Sequence, residues 1–121
     1  MSLTADILRG YTDAILLQLL TGGESYGYEM NQRLSAISDK RFELKEATLY
    51  TVFRRLETGG YITARWGDEQ SGARRRYYAI TEAGRQRLEQ EQEAWLETRD
   101  LLDLLLWGAD EETKIEKETV Q

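Results

Sequence analysis

Arg74, Arg75 and Arg76 place three guanidinium groups in consecutive positions, beside Tyr77 and Tyr78. Neighbouring cations repel one another and add little to folding. A phosphate backbone would take charged, bidentate hydrogen bonds from all three. The bland alternative is a solvated charge run, or pairing with Asp68 and Glu69 in the same loop. A second cluster lies upstream. At about 100° per residue, Leu49, Val52, Phe53 and Leu56 fall on one narrow stripe. Ala47, Thr51, Arg54 and Thr58 fall opposite, with Tyr50 and Arg55 on the flanks. Small, hydroxylated and guanidinium side chains on an exposed helix face suit a DNA major groove. Thr51 can meet a thymine methyl or a phosphate, and Arg54 or Arg55 can reach guanine or phosphate oxygens. Lys45 and Thr48, at the start of the same segment, complete the candidate DNA-contacting set. Taken alone, that segment reads more readily as a solvated amphipathic helix, because such wheels are common.

The missing chemistry narrows the field further. The chain has no His and no Cys, which removes disulfides, imidazole or thiolate metal sites and every triad that needs imidazole. No carboxylates stand at a recognisable catalytic spacing and there is no phosphate-binding loop, so neither an enzyme nor a bound cofactor or metal is expected. The net charge of −6 conceals a polarised chain. Residues 26–88 carry twelve Lys/Arg against eight Asp/Glu, a net +4, whereas residues 89–121 carry three against eleven, a net −8. Polyanion binding responds to the local field of a surface and not to the total. No apolar run approaches the ~20 residues of a membrane span, and the first ten residues lack the basic start of a signal peptide. A soluble cytoplasmic protein is expected.

The elements that must position these groups follow from periodicity and capping signals, in a chain of 121 residues that suits a single domain. Residues 4–20 read as one helix capped by Thr4, with Ile7, Leu8, Tyr11, Ile15, Leu16, Leu19 and Leu20 as its apolar positions. Ser25 is expected to cap a second helix to about Ile37, through the Tyr28 amide and with Glu29 nearby. A third helix spans about Glu46 to Thr58 and stops at the pair Gly59-Gly60. The alternating segment at 61–66 reads as a half-buried strand and 75–81 as the returning strand of a hairpin, around a turn-rich loop. Thr81, with Glu82 in the first turn, caps a last helix to about Trp107, ~39 Å long. This mainly α order with a small β-hairpin is the layout of a winged helix-turn-helix. It would occupy residues 1–81, followed by a dimerisation helix at 82–107 and a charged, frayed tail at 108–121.

Leu88, Trp95 and Leu102 recur every seven residues along the last helix, followed by Leu105 and Leu106. A seam longer than its own small domain calls for a partner along it. Glu91 and Thr98 interrupt the companion positions, so a regular zipper is not expected. The first helix supplies the complement, and a homodimer joined through Ile7, Leu8, Tyr11, Ile15, Leu88, Trp95, Leu102 and Leu106 follows. Trp95 has small or polar neighbours, among them Gln92, Ala94 and Arg99. Its indole can be plain core. It can also wall a cavity, with Ala14 and Gln18 opposite, and stack on a flat aromatic cation.

The segments Leu16-Leu17 through Leu20, Ser25-Tyr26-Gly27-Tyr28-Glu29, Ala47-Thr48-Leu49-Tyr50, Arg54-Arg55-Leu56-Glu57, Gly60-Tyr61-Ile62, Arg75-Arg76-Tyr77-Tyr78 and Ile80-Thr81-Glu82-Ala83-Gly84 together form a specific pattern. With them, from roughly Leu8 to Leu88, the chain resembles the PadR family of bacterial transcription regulators. Thr51 stands where many members have proline. The single long C-terminal helix is similar to that of the short PadR subfamily. Glu46 to Thr51 and Trp66-Gly67-Asp68-Glu69 look like its multidrug-resistance-regulator branch. The resemblance implies a pore at the dimer centre in which Trp95 and its two-fold mate sandwich a planar drug, with Gln92 and Arg99 facing the pocket. It implies a homodimeric repressor on a palindromic operator in double-stranded DNA, relieved by a planar aromatic effector. The competing expectation is a protein-interaction dimer whose acidic C-terminal helix docks a partner without operator binding.

Overall fold

Helix α1 (Leu3–Arg9) and helix α2 (Thr12–Leu19) replace the single helix expected over residues 4–20. The structure, a computed structural model, describes residues 3–68 and 74–108. Gly10 and Tyr11 donate to the carbonyls of Ile7 and Leu8 at 3.0 and 2.9 Å, a tight turn, and regular bonding resumes with Ile15 on Tyr11. Glycine costs a helix interior about 1 kcal/mol relative to alanine. The buried Thr12 hydroxyl also donates to the Arg9 carbonyl at 2.6 Å, which gives the break its own hydrogen bond. Because Leu3 is already helical, Thr4 lies inside the first turn and is not its cap.

Ser25 is corrected as well. Ser25–Tyr26 forms a short strand, β1, and helix α3 (Gly27–Ile37) starts after it without a side-chain cap. The Ser25 hydroxyl donates to Glu29 Oε1 at 2.5 Å and not to the Tyr28 amide. Helix α4 (Glu46–Thr58), strand β2 (Ile62–Trp66), strand β3 (Arg76–Ile80) and helix α5 (Glu82–Trp107) lie where the periodicity puts them. The hairpin thus becomes a three-stranded antiparallel sheet in the order β1-β3-β2. Ser25 pairs with Tyr78 and Tyr26 with Tyr77 on one side of β3, and Ile62 pairs with Ile80 through to Trp66 with Arg76 on the other. This is a mainly helical winged-helix fold. The tail expected from residue 108 lies, beyond Gly108, outside the described residues.

The chain divides into two compact units, Met1–Glu89 and Gln90–Gln121. In the first, Leu16, Leu17 and Leu20 at α2, Met30 of α3, Phe53 and Leu56 of α4 and Ile62 of β2 form a fully buried centre. Phe53 stacks on Tyr78 at 4.0 Å between ring centroids, which fixes α4 against β3. The connector before α4 is pinned by one amide: Asn31 Nδ2 donates to the Leu44 carbonyl at 2.7 Å, and its Oδ1 accepts from the Leu44 N–H at 3.0 Å. With Phe42 and Leu44 buried beside it, the start of α4 has a defined position. Its end is equally defined. Tyr61 N–H bonds the Leu56 carbonyl and Gly60 N–H the Glu57 carbonyl, the paired pattern that closes a helix through a left-handed residue. Gly60, at φ +81°, is that residue.

Helix α5 starts as expected, with the Thr81 Oγ accepting from the Gly84 N–H at 3.0 Å. The same hydroxyl donates to the Gly60 carbonyl at 2.7 Å, so one side chain ties the α5 start to the α4 end. Leu88, 7% exposed, belongs to the core of this unit. The seam expected over Leu88, Trp95 and Leu102 therefore has its first member enclosed within the protomer. In the second unit α5 exposes Trp95, Leu96, Leu102, Leu105, Leu106 and Trp107.

Candidate nucleic-acid interface

Helix α4 presents the face that its periodicity assigned. Leu49, Val52, Phe53 and Leu56 are buried, while Lys45, Thr48, Tyr50, Thr51, Arg54 and Arg55 are exposed. The Thr51 hydroxyl donates to the Ala47 carbonyl at 2.9 Å, which leaves its methyl and oxygen lone pairs at the surface. The Tyr50 ring packs edge-on against Phe53 at 6.3 Å, so its position is set from the core side. Among the described residues Arg54 and Lys45 have no ion pair or hydrogen bond from their side chains. Arg55 differs from its neighbour. Its guanidinium binds Asp13 of α2 through both Nη2 and Nε, and Arg87 of α5 reaches the same carboxylate at 3.3 Å. The hydrogen bonds it donates to Asp13 raise the Arg55 pKa above its ordinary value, against desolvation, which works the other way.

The three consecutive arginines do not stack their charges in one place. A strand alternates its faces, and each guanidinium has an aromatic ring beneath it. Arg74 and Arg76 lie over Trp66 at 5.5 and 5.1 Å, while Arg75 lies over Tyr26 at 4.5 Å. Arg76 also reaches Glu57 of α4 at 3.4 Å. On the Arg75 side Tyr26 meets Tyr77 edge-on at 5.5 Å, and Arg65 lies over Tyr77 at 4.7 Å. Arg65 in turn grips Glu24, whose carboxyl is held below its ordinary pKa by those hydrogen bonds. The rings hold the cations in place while their edges stay at the surface, a contact worth ~0.5–1 kcal/mol each when exposed. Gly67 N–H on the Arg75 carbonyl, at 2.6 Å, continues the β2–β3 pairing to the edge of the described hairpin.

The basic set is thus divided between the α4 face and the hairpin edge. Ala14 and Ile15 are partly buried against the core of the first unit, with Leu8, whereas Gln18 and Ile7 are exposed. In the second unit Gln92, Trp95 and Arg99 are exposed, Trp95 at 40%. Sequence patterning did not bring out the aromatic supports Tyr26, Trp66 and Tyr77, nor Asp13. Asp13 carried a signal that could have found it: a lone carboxylate in the apolar run from Tyr11 to Leu17 needs a cationic partner if the helix is buried.

The family model for the PadR-like transcriptional regulators matches residues 16–90, which include β1, α3, α4, the hairpin and the first turns of α5. The chain belongs to that family. As a PadR-like protein it is a DNA-binding regulator of transcription and not an enzyme. A transcriptional regulator from Clostridium thermocellum is 42% identical, with a TM-score of 0.76 over 81% of this chain and 95% of that one. A PadR family regulator from Clostridium difficile is 31% identical, with a TM-score of 0.67 over 79% of this chain and 98% of that one. The fold is also shared with Bacillus subtilis PadR, solved in complex with operator DNA, at 23% identity and a TM-score of 0.61 over 67% of this chain and 46% of that one. No helix among the described residues of the PadR-like chain is long and apolar enough to cross a membrane.

Proposed function

We propose that this chain is a cytoplasmic homodimeric repressor that reads a palindromic operator with α4 and grips the flanking phosphates with the hairpin. One observation carries the reading: an α4 whose apolar stripe is buried and whose opposite face offers Thr48, Thr51 and an Arg54 with no ion pair among the described residues. Lys45 and Tyr50 extend that face, and Arg74, Arg75 and Arg76 form the wing. That a fold neighbour was solved on operator DNA supports the same use of the fold here. Residues 1–81 would then be the DNA-binding part and 82–107 the helix joining the protomers. Two-fold readers of successive major grooves need recognition helices ~34 Å apart. The dimer would close over Ile7, Leu8, Tyr11 and Ile15 from one side and Trp95, Leu102 and Leu106 from the other. Its centre would hold a planar aromatic effector against Trp95, with Ala14, Gln18, Gln92 and Arg99 around it, as in the multidrug branch. Effector binding would change the spacing of the two α4 helices and so operator affinity.

A second reading has its own observation. The run Leu101–Trp107 is exposed in a helix otherwise rich in Glu and Asp, and could dock another protein without an operator. Sequencing the genomic fragments that the purified protein retains distinguishes the two. A set of related duplex sites whose binding falls steeply with added salt supports the first. Retention of no preferred sequence overturns it.

A further inference from the structure

We infer that Asp13 is a positioning residue for DNA reading, holding α4 in register through Arg55, and that Arg55 itself is not a phosphate contact. The inference rests on the DNA-binding reading and assigns Arg55 a different role within it. Asp13 is only 16% exposed, and its two carboxylate oxygens receive guanidiniums from two other helices, Arg55 of α4 and Arg87 of α5. Three helices therefore meet at one carboxylate. Arg87 also lies over the Tyr61 ring at 4.8 Å, next to the glycine turn that ends α4.

The geometry of Arg55 decides its role. The edge of a guanidinium that grips a phosphate bidentately is one flat edge carrying two N–H donors. In Arg55 one such edge, Nε with Nη2, already spans both oxygens of Asp13. A phosphate that used this edge would have to displace a carboxylate held by two cations. Arg54, one residue earlier, has no such partner among the described residues. Successive helix positions differ by about 100° in direction, so anchoring Arg55 sets the rotation of α4 about its own axis. That rotation fixes where Arg54 and Thr51 point. Asp13 acts on DNA only through them.

The test uses the full chain, a duplex selected by the wild type from a random-sequence pool, and a scrambled duplex of equal length. For a positioning role, Asp13→Asn and Arg55→Gln each lower affinity for the selected duplex, by roughly tenfold for residues coupled in one network. The double variant is no worse than either single one. The slope of log affinity against log salt stays at the wild-type value, and the scrambled duplex is bound as before. A phosphate contact predicts the opposite pattern. Arg55→Gln would then flatten the slope by about 0.9, and Asp13→Asn, which frees the guanidinium, would leave binding equal or tighter. Either result overturns the inference. Should Asp13→Asn unfold at the assay temperature, Arg55→Lys carries the test, since lysine keeps its charge for a phosphate but cannot span both carboxylate oxygens. Loss of the selected duplex at unchanged slope supports positioning, and unchanged affinity refutes it. A wild type that prefers no duplex refutes the DNA-binding reading itself, which is a separate outcome.

Discussion

Gly84→Ala tests the packing that sets α5 against the hairpin, because local propensity and tertiary contact predict opposite signs. Gly84 is the third residue of α5 and buried. On propensity alone, alanine should stabilise that turn by up to about 1 kcal/mol. A Cβ there would lie 2.1 Å from the Tyr61 carbonyl oxygen and 2.8 Å from Ile80 Cγ1. The first atom is backbone, locked by the Thr81 N–H at 3.1 Å, so no flexible side-chain end can swing away. Restoring ordinary contact requires the start of α5 to shift by more than 1 Å. That shift strains the Thr81 hydroxyl, which joins the Gly84 N–H to the Gly60 carbonyl. Overpacking of this kind costs ~1–3 kcal/mol, occasionally more. Taking the upper end and subtracting the propensity gain leaves a net loss of about 2 kcal/mol. For a unit of this size that is a fall in Tm of roughly 8–16 °C. Thermal unfolding followed by circular dichroism, wild type and variant at equal concentration, reads it directly. An unchanged or raised Tm would refute the claim that α5 packs against Tyr61 through a position only glycine can occupy.

Three further outcomes are expected. Arg54→Ala should weaken the selected duplex by ~1–3 kcal/mol and relax base preference at one position, whereas Arg75→Ala should weaken all duplexes alike and flatten the salt slope by about 0.9; wild-type behaviour in both would mean the DNA face is misassigned. Trp95→Ala should abolish calorimetric binding of planar aromatic dyes while sedimentation still shows a dimer, and a dimer lost with no dye binding by the wild type would mean that the indoles close a core, at a cost of ~3–5 kcal/mol on truncation. Tyr78 has its pKa raised by burial, so its neutral form is favoured in the fold; that stability is present below the ordinary tyrosine range and is lost as pH rises through it, and Tyr78→Phe should therefore shrink the drop in Tm between pH 8 and pH 11, an unchanged drop counting against it.

Much of the site is legible in the amino-acid sequence, and for local reasons. The buried stripe of α4, its stop at Gly59-Gly60 and the Thr81 cap of α5 depend on spacings of three to seven residues. Helix period and cap geometry act at that range, so the side chains alone specify them. The same holds for the alternation in β2, where five residues suffice to show a period of two. Two features of the backbone are not legible in this way. Gly10 inside a helical pattern is tolerated at a cost of about 1 kcal/mol, and the hydroxyl of the buried Thr12 on the Arg9 carbonyl favours the break only in the folded chain. Ser25-Tyr26 is too short to show any period, and it becomes a strand because Tyr77 and Tyr78 arrive beside it.

Residue type and spacing determined that this chain concentrates positive charge in residues 26–88, with no His or Cys to support catalysis or bind a metal, and that Arg54 and Arg55 lie outside the apolar stripe of their helix. Only the tertiary structure decided which of those charges have partners. Arg54 and Arg55 are adjacent and chemically identical, yet one is without an ion pair among the described residues and the other is held by Asp13, 42 residues away. A guanidinium is charged wherever it stands, and that is legible from its letter. Whether it faces water, an aromatic ring or a carboxylate depends on which helices the buried leucines and Phe53 bring together, and that is a property of the packed core.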